Sequence, residues 1–228
     1  RRKFLDRTIS QSDKNYLNNL VTYHRILQQR NALLKHFSST NSFDKDTLST
    51  YNEKLIQFGN PIHEARKTFI KTFHPLFHNR YQFISGNHEP VFVRYDSKLV
   101  DSSFKTLLEE SLQKDRMLQY TSVGPHKDDL RFQINDFPIK KFGSQGQQKT
   151  FLIALKLAQF DIIRNQMNVL PILLLDDIFD KLDDSRVKQI ISLVNDDSFG
   201  QLFVTDTSKE RTEKMIKETA QSYSIFNL

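Results

Sequence analysis

Apolar residues in the first part of the chain recur every three or four positions, which is the period of an α-helix buried along one face. One such run covers residues 13–37, and a second restarts at Leu48 after a polar stretch, 38–46, that should be a loop. Gly59-Asn60-Pro61 should interrupt or kink the second run, which then continues to about Arg80. The pattern predicts an antiparallel pair of helices.

Phenylalanines line the apolar face of the second run, at Phe69, Phe73 and Phe77. Exposed aromatic side chains can stack on nucleic-acid bases, but these three recur at helical spacing. We therefore predict that they belong to the core of the protein.

The pattern changes after the helical pair. Val91, Val93 and Tyr95 alternate with polar or long residues, as in a short strand, and residues 101–120 are periodic like a helix. From Thr121 onward the elements shorten and alternate, which predicts an α/β layered fold. Its predicted strands are 130–134, 171–175 and 201–205, and its predicted helices are 147–165 and 185–194. We accordingly divide the chain into a mainly helical domain, 1–122, and an α/β lobe, 123–228.

Composition excludes several classes of protein. The chain has no Cys, which excludes a disulfide scaffold, a Cys-based zinc site and thiol catalysis. Its apolar runs are too short to span a bilayer, and no secretion leader opens it. We expect a cytoplasmic protein with no membrane partner, and the start without Met suggests a fragment.

Charge is distributed unevenly along the chain, whose net charge is +6. Residues 1–120 carry 19 Lys and Arg against 12 Asp and Glu, a net of +7, whereas residues 121–228 have a net of −1. A basic surface attracts phosphate backbones without reading their sequence, which favours a DNA-facing first half. Lysines and arginines that merely solvate helices would explain the count equally well.

An apolar strand, which should lie in the middle of a sheet covered by helices on both faces, ends in two adjacent carboxylates, Asp176 and Asp177. Because ligands of layered α/β sheets gather at the carboxyl ends of buried strands, this pair is a candidate site. Asp176 suits a Mg²⁺ ligand and Asp177 a general base that polarises water. Alternatively, the two residues begin a loop or cap a helix.

A loop of small and amide residues runs directly into the predicted helix at 147–165. Its members Ser144, Gln145, Gly146 and Gln147 would expose backbone N–H groups at the positive end of the helix dipole, which is an arrangement that binds phosphate. A plain turn with Ser144 as the N-cap is the alternative.

The two motifs in this order resemble the second half of an ABC-type ATPase head. The signature loop of such a head corresponds to Ser144–Gln147, and its Walker B pair corresponds to Asp176–Asp177. The D-loop corresponds to residues 180–183. The strings at 124–130, 143–149 and 173–177 resemble those of the RecF family of bacterial recombination and replication-repair proteins.

The resemblance implies an α/β fold, the C-terminal lobe of an ABC-type P-loop ATPase head with a mainly helical lid domain. In such heads two subunits enclose ATP, so Ser144, Gln145, Gly146 and Gln147 would contact the γ-phosphate held by the partner. It also implies that Asp176 holds Mg²⁺, that Asp177 positions the attacking water and that Asp183 lies at the dimer seam. Asp206 and Thr207 stand where transporters have a switch histidine, which favours slow hydrolysis.

A Walker A loop is missing, since no Gly lies in the G-x-x-x-x-G-K-[ST] frame. This portion alone is therefore expected to be inactive, and the full-length dimer to be a weak ATPase. The resemblance further implies an ATP-dependent homodimer that binds gapped DNA and helps load recombinase with RecO- and RecR-type proteins. The alternatives are another SMC-like ATPase, or a non-catalytic DNA-binding or scaffold module.

Two histidine-containing groups could in principle bind metal. His126 with Asp128 and Asp129 lies in one turn, where polar residues more often bond backbone groups. His74 and His78 have the spacing of a helical zinc pair but no evident third ligand. The sequence assigns no role to the string 124–130.

Overall fold

Three helices make up the first part of the computed structural model, which describes residues 1–86, 89–170, 172–176, 182–193, 201–205, 213, 217 and 223–226. They are α1 (Arg2–Ser12), α2 (Lys14–Thr40) and α3 (Lys45–Ser85). The two predicted helical runs are confirmed, with only residues 41–44 left between α2 and α3. Asp13 caps α2 by accepting a hydrogen bond from the backbone N–H of Tyr16 at 2.9 Å.

The predicted interruption at Gly59-Asn60-Pro61 is wrong, because α3 runs through these residues without a break. Leu55 and Ile62, on either side, are fully buried, so continuing the helix keeps both in the core. Gly59 serves close packing, since a Cβ there would lie 2.6 Å from Cε1 of Phe104.

One predicted helix, 101–120, is two helices in the structure, α4 (Phe104–Glu110) and α5 (Leu112–Leu118). A small sheet has the strand order β1-β2-β3, with β1 (Val91–Asp96) before these two helices in the sequence and β2 (Asp129–Ile134) and β3 (Phe137–Pro138) after them. Strands β2 and β3 form a hairpin whose turn residues, Asn135 and Asp136, both have positive φ, as a type I′ turn requires.

The α/β alternation is confirmed by the remaining elements. They are α6 (Ile139–Phe142), α7 (Gln145–Met167), β4 (Ile172–Asp176), α8 (Asp184–Ser192) and β5 (Gln201–Thr205). Strands β4 and β5 pair in parallel, with Ile172 opposite Gln201 and Asp176 opposite Thr205. Strand β4 was expected to be covered on both faces, but within the described part of the chain Leu174 is 71% exposed.

The chain forms two compact units, one of residues 1–71 with 94–131 and the other of 72–93 with 132–228. Helix α3 and strands β1 and β2 each contribute residues to both units. The division of the chain at 122/123 into a lid and a lobe stays a prediction about function.

In the second unit, the phenylalanine seam is confirmed as core. Phe73, Phe77 and Tyr81 are fully buried, and the ring of Phe77 lies 4.6 Å from that of Phe151. Among the described residues, no helix combines the length and apolar character needed to cross a membrane.

The first unit contains a buried arginine, Arg66, whose side chain is 1% exposed. Its guanidinium donates to the carboxylates of Asp6 and Asp128, each at 2.8 Å, to the carbonyl of Pro125 at 2.7 Å and to the hydroxyl of Tyr16 at 3.0 Å. The hydroxyl of Tyr95 also donates to Asp128. The string 124–130 therefore has a structural role, because it supplies two of the acceptors that hold a buried cation.

His126 belongs to the same string and bonds protein groups. Its Nε2 lies 2.9 Å from the carbonyl of Thr121, and its Nδ1 lies 2.7 Å from the hydroxyl of Tyr23. Gly124 has φ +117, and a Cβ there would lie 2.6 Å from Cζ of Phe104. Over the described ranges, no group of three His, Cys, Asp or Glu is placed to hold a metal ion.

A second buried arginine, Arg30, is held in the same unit. It donates to Asp115, Thr121 and Asn52, each at 2.8 Å, and burial lowers its pKa. Its Nη2 is buried and has no hydrogen-bond partner among the described residues.

Replacing Arg66 by Met in the complete protein should lower the free energy of unfolding by about 3–5 kcal/mol, because Asp6 and Asp128 lose a buried partner. Arg131→Met is the matched control, since its ion pair with Asp96 is exposed and should contribute about 1 kcal/mol or less. Urea denaturation followed by circular dichroism measures both values. Equal effects of the two substitutions would contradict the structural role of Arg66.

Stability should also depend on the protonation of His126, since burial lowers its pKa to about 4 from an ordinary value of 6.5. Between these values the unfolded chain binds the proton more readily than the folded one, so stability falls as pH falls through this window. The variant His126→Gln, which can keep both hydrogen bonds, should lose less stability than the wild type between pH 6.5 and pH 4. Melting temperatures across this range test the difference, and parallel curves would contradict it.

Candidate nucleotide site

Helix α7 begins at a reciprocal cap formed by Ser144 and Gln147. The hydroxyl of Ser144 accepts from the backbone N–H of Gln147 at 3.2 Å, and the side-chain oxygen of Gln147 accepts from the backbone N–H of Ser144 at 2.8 Å. Gly143 is required just before it, because a Cβ would lie 2.8 Å from the carbonyl oxygen of Ile139. The alternative of a turn with Ser144 as N-cap is thus present in the structure.

The cap leaves two backbone donors without a described partner, the N–H groups of Gln145 and Gly146. The N–H groups of Ser144 and Gln147 are used in the cap, and that of Gln148 donates to the carbonyl of Ser144 at 2.9 Å. Two adjacent N–H groups at the positive end of a 23-residue helix form a site suited to an anion.

Gln147 is held by a residue that the sequence did not single out, Glu89. The side-chain amide of Gln147 donates to one oxygen of Glu89 at 2.9 Å, and the hydroxyl of Tyr81 donates to the other at 2.8 Å. Burial and this carboxylate raise the pKa of Tyr81. The side chain of Gln147 is therefore engaged within the protein and positions the helix start. Glu89 precedes a strand and carried no local signal.

Asp176 and Thr205 lie side by side at the carboxyl ends of β4 and β5. They are paired in register, and the hydroxyl of Thr205 donates to Oδ1 of Asp176. Both residues are exposed. A carboxylate beside a hydroxyl is a set of hard oxygen atoms, which fits a Mg²⁺ site that takes one or two carboxylates and completes its shell with phosphate and water.

Asp183 caps helix α8. Its Oδ1 accepts from the backbone N–H of Arg186 at 2.9 Å, and the residue is exposed. Asp177, Asp206 and Thr207 lie outside the described residues. No described hydrogen bond or ion pair joins residues 144–147 to Asp176, so the anion site and the carboxylate site are separate features of the second unit.

Comparison with known proteins identifies the fold to which these elements belong. No protein-family model matches the chain. The solved structure of the recombination mediator protein RecF with ATP, in the RecFOR pathway, matches with a TM-score of 0.79 at 31% identity, covering 92% of this chain and 57% of that one. The fold is α/β, that of the C-terminal lobe of an ABC-type ATPase head with a mainly helical part.

Curated relatives extend the match to the whole chain. The DNA replication and repair protein RecF of Flavobacterium johnsoniae is 56% identical over all 228 residues, and that of Bacteroides thetaiotaomicron is 44% identical. The chain belongs to the RecF family. It spans 64% and 61% of the length of these two relatives.

Proposed function

We propose that this chain is part of a bacterial, cytoplasmic DNA replication and repair protein that dimerises with ATP and binds gapped DNA. There it helps load recombinase together with RecO- and RecR-type partners. The observation that supports the proposal most directly is the start of α7. It offers two adjacent N–H donors where the signature loop is expected, in a chain that is similar to RecF over its whole length. A solved relative is described with ATP and within the RecFOR pathway.

The helix start of α7 is proposed to recognise the γ-phosphate of ATP held by the partner subunit. The N–H groups of Gln145 and Gly146 would donate to it, together with the hydroxyl hydrogen of Ser144, whose oxygen still accepts from Gln147. Gln147 contributes through the cap and not through its side-chain amide, which Glu89 already engages. This assignment keeps all four predicted residues in the site but gives Gln147 a positioning role.

The carboxylate site is proposed to serve the ATP held by its own subunit, which the helix start of the partner's α7 would contact from the other side. Asp176 would hold Mg²⁺, which when bound neutralises charge that develops on the phosphates. Asp177 would orient the attacking water, and Asp206 and Thr207 stand where a sensor of the γ-phosphate is expected. Asp183 would lie at the dimer seam while it caps α8.

DNA binding is assigned to the basic half of the chain. Residues 1–120 carry the net charge of +7, and neutralising DNA phosphates with Lys and Arg releases counterions. The proposed lid, 1–122, would therefore contact DNA and the proposed lobe, 123–228, would bind nucleotide. Hydrolysis would be slow, and this portion alone would not catalyse it, because it has no P-loop.

Ser144→Asp tests the anion site without removing the helix cap. Asp is as good an N-cap as Ser, so the free energy of unfolding should change by about 0.5 kcal/mol or less. Its carboxylate should repel a phosphate, so ATP-dependent dimerisation of the complete protein should be lost. Analytical ultracentrifugation with ATP measures the dimer, and Ser192→Asp, at the end of α8, is a control that should still dimerise. A Ser144→Asp variant that dimerises normally would refute the assignment.

Asp177→Asn in the complete protein should bind ATP normally, hydrolyse it at least about 100-fold more slowly and accumulate as the dimer, because a general base typically contributes 10²–10⁴-fold. Phosphate release and sedimentation measure the two effects.

The same trapped dimer tests the DNA part of the proposal. It should bind gapped duplex more tightly than the nucleotide-free protein, and the affinity should fall steeply with salt. DNA binding that is indifferent to ATP would favour a scaffold module, and a normal hydrolysis rate in Asp177→Asn would show that another residue is the base.

A further inference from the structure

The last residues of β4 and β5 are tied together by their side chains. Asp176 and Thr205 are opposite each other in the parallel register, so their side chains project on the same side of the strand pair. The hydroxyl of Thr205 donates to Oδ1 of Asp176, and Oδ2 has no partner among the described residues. One carboxylate oxygen is therefore held, and nothing in the described part of the chain engages the other.

This hydrogen bond contributes little to holding the strands together. Both residues are exposed, and hydrogen bonds in contact with water are largely offset by the bonds to water that they replace. Five residue pairs in register already join β4 to β5. The effect specific to the bond is on Asp176, whose carboxylate would otherwise rotate freely about two side-chain torsions.

We propose that Thr205 is a positioning residue for the metal site, orienting the carboxylate of Asp176 so that Oδ2 meets Mg²⁺. The inference rests on the proposed function, in which Asp176 holds the metal. Partners that hydrogen-bond a metal ligand fix its orientation, and their loss weakens metal affinity by about 10- to 100-fold.

Threonine is well suited to this task. Its β-branched side chain has restricted rotation about χ1, so the hydroxyl direction is set by the strand backbone. Serine could donate the same bond but would hold it less firmly. Valine has the same shape but no hydrogen-bond donor, so replacing Thr205 by Val removes the hydroxyl and keeps the packing of the side chain.

The test compares Thr205→Val and Thr205→Ser in the complete protein saturated with a non-hydrolysable ATP analogue. Titration with Mn²⁺, a paramagnetic substitute for Mg²⁺, gives the affinity of the bound metal from its electron paramagnetic resonance signal. Thr205→Val should bind Mn²⁺ about 10- to 100-fold more weakly, and Thr205→Ser should recover most of the loss. Thr106→Val, which removes an exposed hydroxyl on α4, is the matched control and should bind as the wild type does.

Wild-type affinity in Thr205→Val, or a loss that Thr205→Ser does not repair, would overturn the inference. The thermal unfolding midpoint of Thr205→Val should equal that of the wild type, and a lowered midpoint would mean that the bond supports the strands instead. The variant Asp176→Asn distinguishes a failure of this inference from a failure of the proposed function, in which Asp176 binds the metal. If Asp176→Asn retains Mn²⁺, Asp176 is not the ligand, and the metal assignment itself fails.

Discussion

The first compact unit depends on a buried cation, Arg66. A guanidinium has its donors in a fixed plane, so the acceptors must come to it in set directions. Here they come from α1 through Asp6, from α2 through Tyr16 and from the turn at residues 125–128. Apolar side chains that replaced Arg66 together with its two carboxylate partners could fill the same volume at little cost in stability, but they would not select these directions. The recurring string 124–130 is thus part of the architecture of this unit.

Orientation by neighbouring residues is also important in the candidate site. There, the groups that would bind a ligand are oriented by residues that would not contact the ligand. Glu89 engages the side chain of Gln147, which in turn caps the start of α7. Thr205 engages Asp176 at the end of β4. Because these partners are close in space but distant in sequence, the tertiary fold orients both the start of α7 and the carboxylate of Asp176 without a nucleotide.

Periodicity predicted most of the elements because their buried faces are long and regular. The turn signal at Gly59-Asn60-Pro61 was misleading, because burial on both sides outweighs the local preference for a break. Periodicity also passed over Arg66 and Arg30, although each lies on the apolar stripe of its helix between buried residues, and that position was a usable signal. Glu89 and Thr205 had no such signal, since their partners are set by the tertiary fold. Their roles could be seen only in three dimensions.

The way in which the chain passes between its two units has a consequence for folding. It crosses three times, at 71/72 within α3, at 93/94 within β1 and at 131/132 within β2. Flexible, solvated linkers normally mark the boundaries of domains that fold independently. Here each boundary falls inside a hydrogen-bonded element, so cutting the chain at any of them removes the end of a helix or a strand. Excising either unit as a separate piece would therefore cut through α3, β1 and β2.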